Sequence, residues 1–149
     1  MRIGIFVPNI NQGGTERVAA NLVNGFTSKG FEVILITMGN KEFPFPFDAK
    51  LIKLDVEPLS GKLGRFIYRY KKFQHIVQSY DIHLMLSMGE YPNLLCSLLP
   101  RHISKVIRIT NSLNAIGGAK SMVMKLISKA AIRRCDLVVL PTRDLQDEY

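Results

Sequence analysis

The sequence holds only two cysteines, Cys96 and Cys135, and neither belongs to a Cys-x-x-Cys pair or a Cys/His cluster. A disulfide-built scaffold is excluded, and a reducing compartment is the expected setting. No run of 18 apolar residues occurs, so no helix is expected to span a bilayer. The opening apolar stretch stops at Pro8 and Asn9, too short for the core of a signal peptide and without a cleavage-like segment behind it. Internal repeats and low-complexity linkers are also missing. With 149 residues, 47% hydrophobic and 21% charged, the chain can bury a core of its own, and disorder and fibrous repeats are excluded.

Acidic residues are scarce in two long stretches. Residues 58–80 hold five bases and no acid, and residues 91–135 hold eight bases and no acid. These stretches carry +13 of a net +8, which leaves −5 on the rest. A basic surface polarised in this way attracts an anionic lipid surface, a nucleic acid or a phosphorylated ligand.

Residues 2–8 read as a buried strand ended by Pro8, and Asn9–Thr15 as turn chemistry. A helix is expected to start at Thr15 as N-cap, with Glu16 in its first turn, and to stop at Lys29-Gly30. Phe31–Thr37 and Ala49–Leu54 read as further strands. Residues 62–80 form an amphipathic pattern, with Leu63, Phe66, Ile67, Tyr70, Phe73, Val77 and Tyr80 on one stripe and Arg65, Arg69 and Lys72 on another. Asp81–Met88 is a fourth strand, followed by a short helix after Pro92. Lys105–Thr110 is a fifth strand and Asn111–Gly118 a polar loop. Residues 119–134 are a second basic helix, with Val123, Leu126, Ile127, Ala130 and Ala131 inward, and Asp136–Pro141 is a sixth strand. This alternation specifies an α/β fold: a Rossmann-like, doubly wound parallel sheet in the order 3-2-1-4-5-6. Thr142 can cap a two-turn helix over 143–149, too short to cover its side of the sheet, so a piece of a longer protein is expected.

Ligands of such sheets bind beyond the carboxyl ends of the strands, where the strand order reverses. Gly13-Gly14 lies there, permits positive φ and close ligand approach, and stands before a helix start whose amides favour anions. The glycines do not form Gly-x-Gly-x-x-Gly, the second strand ends in Thr37-Met38-Gly39 without a ribose-binding acid, and no Gly-Lys-Ser/Thr follows. Spacing alone fits a ligand-free strand-to-helix turn equally well.

The run Gly13-Gly14-Thr15-Glu16-Arg17-Val18-Ala19 and the strand Gly30-Phe31-Glu32-Val33-Ile34-Leu35-Ile36-Thr37 resemble the N-terminal domain of the family-four retaining glycosyltransferases, which have two Rossmann lobes (GT-B). Tyr80-Asp81-Ile82 and Cys135-Asp136-Leu137-Val138-Val139 resemble later strand beginnings of that family. The resemblance spans essentially the whole chain and is strongest over residues 1–37. It implies that residues 1–149 form the acceptor-side domain, with a donor-binding domain absent from this chain. It further implies transfer of a sugar, with retention, from a nucleotide-diphosphate sugar as co-substrate, without metal or other cofactor. The loop Gly13, Gly14, Thr15 and Glu16 would face the donor diphosphate and the acceptor. Family members often carry a His in a Thr-x-His context after the fifth strand. Here Arg108-Ile109-Thr110-Asn111-Ser112 has none, and is similar instead to a subgroup typical of bacterial surface-polysaccharide transferases. Asn111 can bond a sugar hydroxyl but cannot relay a proton.

Asn11, Gln12, Glu90, Thr110, Asn111, Ser112 and Asn114 are the candidate acceptor contacts, with Glu90 and Asn111 the catalytic candidates. Glu90 fits an exposed loop acid as well, and Glu16 a structural partner of the helix dipole. His83 reads as a hydrogen-bonded core group, His75 and His102 as surface residues, and both cysteines as packing groups. Arg65, Arg69, Lys72, Lys125, Lys129 and Arg133 are the expected membrane-facing bases, placing the protein peripherally on the inner face of the cell membrane. That location suits a saccharide or lipid-linked acceptor. No nucleic acid is expected, since no RNP-like or helix-turn-helix pattern occurs. The competing reading is a non-catalytic basic α/β module that binds nucleic acid or anionic lipid.

Overall fold

The strand β1 (Arg2–Asn9) buries Ile3, Ile5, Phe6 and Val7 on alternating faces, as a central parallel strand must. It pairs on one side with β2 (Glu32–Met38) and through it with β3 (Lys50–Leu54). On the other side come β4 (Leu84–Met88), β5 (Ser104–Arg108) and β6 (Leu137–Val139). All pairs are parallel and the order is β3-β2-β1-β4-β5-β6, as the sequence pattern predicts. The computed structural model describes residues 1–9, 13–38, 42–54, 61–109 and 119–148.

Both faces of the sheet carry helices. On one, Ala19 and Val23 of α1 (Gly14–Thr27) pack against Ile3, Ile5, Val7, Val33 and Leu35. On the other lie α2 (Lys62–Ser79), α3 (Glu90–Ser97) and α4 (Ala119–Ile132). Phe6 stacks on Phe73 with ring centroids 4.7 Å apart. Burying rings of this size contributes about 1.5–3 kcal/mol each. Gly4 lets β1 and β4 close up, because a Cβ there would stand 2.5 Å from Met85 Cε.

Several expectations are corrected. β1 continues through Pro8 to Asn9, with a register irregularity between Val7 and Asn9 where proline supplies no N–H. α1 starts at Gly14 with Gly13 as N-cap, so Thr15 is inside the helix. α3 starts at Glu90, and Pro92 stands in its first turn, where no backbone donor is needed. β4 starts only at Leu84, and His83 is a solvent-exposed residue, not a core group. In α2 the buried residues are Phe73, Ile76 and Val77, while Leu63 and Ile67 are 72% and 45% exposed. The first turns of that helix lean on α3 through Phe66 and Tyr70, and Leu63 and Ile67 fall outside this contact. Leu126 of α4 is likewise exposed and Ala131 buried. The last helix, α5 (Arg143–Glu148), is capped as expected: the Leu145 N–H donates to Thr142 Oγ1 at 3.4 Å. It leaves Leu137 and Val139 of β6 exposed.

Candidate functional site

The strand order reverses between β1 and β4, and the carboxyl ends of these two strands define the crevice where such sheets bind ligands. Gly13, which ends the loop after β1, has φ −105° and ψ 178°, an extended conformation open to any residue, and Gly14 is helical. The positive φ that two glycines permit is not used. What the pair supplies is bareness: among the described residues, a Cβ on Gly14 would meet nothing within 4 Å. The Gly13 N–H donates to Glu16 Oε2 at 3.1 Å, and the Arg17 N–H closes the first turn on the Gly13 carbonyl at 3.3 Å. Glu16 is 3% exposed, so its carboxylate is a structural part of the helix start, facing the positive end of the dipole. Thr15 is half-buried beside it. The amides of Gly14 and Thr15 belong to the first turn, where no intrahelical acceptor exists.

Across the crevice, β4 passes into α3 through Gly89. Its φ of 92° and ψ of 158° are essentially glycine-only, and a Cβ would touch Pro8 Cγ at 3.4 Å. A buried polar relay fixes this turn. Ser87 Oγ donates to Asn93 Oδ1 at 2.7 Å, and Asn93 Nδ2 donates to the Arg108 carbonyl at 3.0 Å. The relay ties β4, α3 and the end of β5 together and places Glu90, half-exposed, at the first position of α3.

Tyr91 follows. Its ring meets Phe66 edge-on at 6.1 Å, and the Arg69 guanidinium lies over it at 5.4 Å. Arg69 Nε and the Tyr91 hydroxyl are buried and have no hydrogen-bond partner among the described residues. Arg69 is therefore not the solvated cation expected from the helical stripe. Of the other bases in that set, Arg65, Lys129 and Arg133 are exposed and Lys72 is half-buried. The Lys125 side chain lies outside the described residues, as do Asn11, Gln12, Thr110, Asn111, Ser112 and Asn114. Sequence reasoning missed the Ser87–Asn93 pair and the Arg69–Tyr91 stack. The signal for the first was Ser87 closing an apolar strand with Asn93 shortly after it, while the second joins two helices and leaves no signal in the sequence.

Neither thiol is activated by its surroundings. Burial pushes Cys96 up to about 12, and burial likewise pushes Cys135 up to about 11. Among the described residues, no three His, Cys, Asp or Glu side chains cluster as a metal site requires.

The sheet order defines a Rossmann-like domain, with its ligand crevice where that order reverses. The family profile described as Glycosyltransferase Family 4 matches residues 12–149, and the chain belongs to that family. It is 26% identical over 145 residues to an uncharacterized glycosyltransferase of Haemophilus influenzae, a match covering 95% of this chain and 40% of that protein. The chain thus spans less than half of this relative's length. Its fold is similar to that of sucrose-phosphate synthase from Thermosynechococcus elongatus, with TM-score 0.73 at 12% identity, over 98% of this chain and 44% of that one. It is also similar to the lipopolysaccharide outer core galactosyltransferase WaaB, with TM-score 0.61 at 14% identity, over 90% of this chain and 42% of that one.

Proposed function

We propose that this chain is the acceptor-side lobe of a retaining glycosyltransferase, and that a donor-binding lobe follows residue 149. The two together transfer a sugar from a nucleotide-diphosphate sugar to a saccharide or lipid-linked acceptor in bacterial surface-polysaccharide synthesis. The observation that carries the reading is Gly14, bare and open at the first position of α1 on the carboxyl edge of the sheet. A diphosphate held by the opposite lobe can approach the amides of Gly14 and Thr15 and the positive end of the helix without displacing a side chain. Family membership and the likeness to a lipopolysaccharide galactosyltransferase support the class of reaction.

In this reading, fixed amides and cations stabilise the departing diphosphate, and no metal is assigned a role. A leaving phosphate oxygen takes the acceptor proton, so no strong base is needed on this lobe. Glu90, held at the crevice by the Gly89 turn, binds an acceptor hydroxyl together with Thr110, Asn111, Ser112 and Asn114. Arg65, Lys72, Lys125, Lys129 and Arg133 dock the enzyme on the anionic inner face of the cell membrane, each contributing about 1 kcal/mol near the surface. Nucleic acid is not a partner.

The test is Gly14→Val in the full-length enzyme. A branched side chain where the diphosphate must approach should cut transfer by about 100-fold or more. Thermal stability should stay close to that of the parent, since the site has room. Undiminished turnover would remove the support for the site.

A further inference from the structure

A second basic site lies on the opposite, amino-terminal edge of the sheet, between β5 and β6. An open-mouthed cavity of about 480 Å³ is lined there by Arg101, Lys105, Arg133, Arg134 and Asp136. Four cations face one carboxylate, and that carboxylate is already engaged: Asp136 Oδ2 accepts the Lys105 N–H at 2.7 Å.

Lys105 is 4% exposed, and no carboxylate among the described residues lies within ion-pair distance of it. Its ammonium donates to the Leu99 carbonyl at 3.4 Å and the Pro100 carbonyl at 3.5 Å, both long for such bonds. An ammonium has three donors, and burying one without a counter-ion is unfavourable. Arg134 is fixed in turn by Nε donating to the Ser97 carbonyl at 3.0 Å.

Part of this charge has a structural account. Lys105 and Arg134 satisfy carbonyls at and just beyond the end of α3, where cations complement the helix dipole. That account does not extend to Arg101 and Arg133. Both are exposed and their guanidinium groups make no hydrogen bond or ion pair among the described residues, yet both line the same cavity.

We infer that this cavity binds a phosphate-bearing anion, a phosphomonoester or diphosphate group. Arg101 and Arg133 clasp its oxygens, and Lys105 supplies the buried counter-charge. Planar guanidinium forks match phosphate oxygens in pairs, and a buried ammonium gains a partner it otherwise lacks. The site is separate from the proposed transfer site, which occupies the other edge of the sheet, and it does not depend on that reading.

The experiment is titration of the full chain with sodium phosphate and with pyrophosphate at constant ionic strength, read by calorimetry and by backbone amide shifts. Saturable binding is expected, with shifts at Arg101, Lys105, Arg133 and Arg134. The double variant Arg101→Glu/Arg133→Glu should weaken it by about tenfold or more. Lys29→Glu/Lys71→Glu removes the same charge from exposed positions elsewhere and should change it by less than about twofold. A parallel arm uses phosphatidylcholine vesicles with and without phosphatidic acid, whose headgroup is a phosphomonoester. Binding of the soluble anions assigns a soluble ligand. Binding to phosphatidic acid vesicles alone, lost in the arginine variant and kept in the lysine variant, assigns a headgroup phosphate. The inference is overturned by no saturable binding in either arm, or by equal weakening in the two double variants.

Discussion

Gly13 N–H donates to Glu16 Oε2 at 3.1 Å, so the side chain three residues ahead closes the start of α1 that a threonine was expected to cap. A glycine has no side chain with which to cap a helix, and the reach back of Glu16 supplies the missing half. Glu16→Ala should therefore destabilise the fold by about 0.5–2 kcal/mol. Glu16→Gln keeps the shape and the acceptor but loses the charge facing the dipole, costing about 0.3–1 kcal/mol. Urea denaturation of both variants checks the order. Equal losses would mean that the charge, and not the hydrogen bond, is what matters.

Gly14 and Gly89 stand on facing sides of one crevice and should answer alanine in opposite ways. At Gly14 the backbone is helical and the added methyl meets none of the described residues within 4 Å, so Gly14→Ala should stabilise by about 0.4–1 kcal/mol through the unfolded chain. At Gly89 the φ of 92° forces strain on any side chain, and Gly89→Ala should cost about 1–3 kcal/mol. Thermal unfolding measures both. If Gly14→Ala in the full-length enzyme is both more stable and slower in transfer, its glycine serves the ligand and not the fold.

The Ser87–Asn93–Arg108 relay should behave as a unit. Asn93→Ala takes the acceptor from the buried Ser87 hydroxyl and leaves the Arg108 carbonyl to the long Gly89 N–H bond at 3.5 Å, and should cost about 1–3 kcal/mol. Adding Ser87→Ala should cost much less than the two single losses combined, because the hydroxyl no longer needs its partner. Strict additivity in a double-mutant cycle would show that the relay is not cooperative.

The fold was legible because the central strands β1 and β2 are buried on both faces and so appear as near-continuous apolar runs, as in Val33–Ile36. Its limits were of two kinds. Periodicity at Leu63 and Ile67 marks a helix face but not which part of it a neighbour covers: Phe66 and Tyr70 turn toward α3 and its C-cap, and Leu63 and Ile67 stay exposed beside them. Local chemistry also competes: Thr15 is a good cap in isolation, yet the contact between Glu16 and Gly13 makes Gly13 the cap, two residues earlier. At the site, the glycine pair could be placed at the sheet edge from turn chemistry alone. The Arg69–Tyr91 stack could not, since it joins residues of two helices whose packing the sequence leaves open.

Tyr91 offers a test of that stack. Its hydroxyl is buried without a partner among the described residues, a costly arrangement in a ligand-free state. Tyr91→Phe keeps the ring under Arg69 and should leave stability unchanged or raise it by about 1 kcal/mol. A clear loss would reveal a partner for the hydroxyl. Tyr91→Leu removes the ring face and should cost about 0.5–2 kcal/mol in lost cation–π attraction alone.

The thiols give a pH dependence of definite sign. Burial raises Cys96 from 9.0 to about 12 and Cys135 from 9.0 to about 11, so the folded chain holds these protons where the unfolded chain releases them. Their contribution to stability is complete below pH 9 and is lost as pH rises, through about 11 for Cys135 and about 12 for Cys96. Burial keeps Cys96 in its thiol form at pH 8, so alkylation by iodoacetamide should be far slower than for a free cysteine. Cys135, only half-buried, should react first. Mass spectrometry of the alkylated chain over a pH series checks the order, and rapid labelling of Cys96 in the folded protein at pH 8 would contradict its burial between α3 and the sheet.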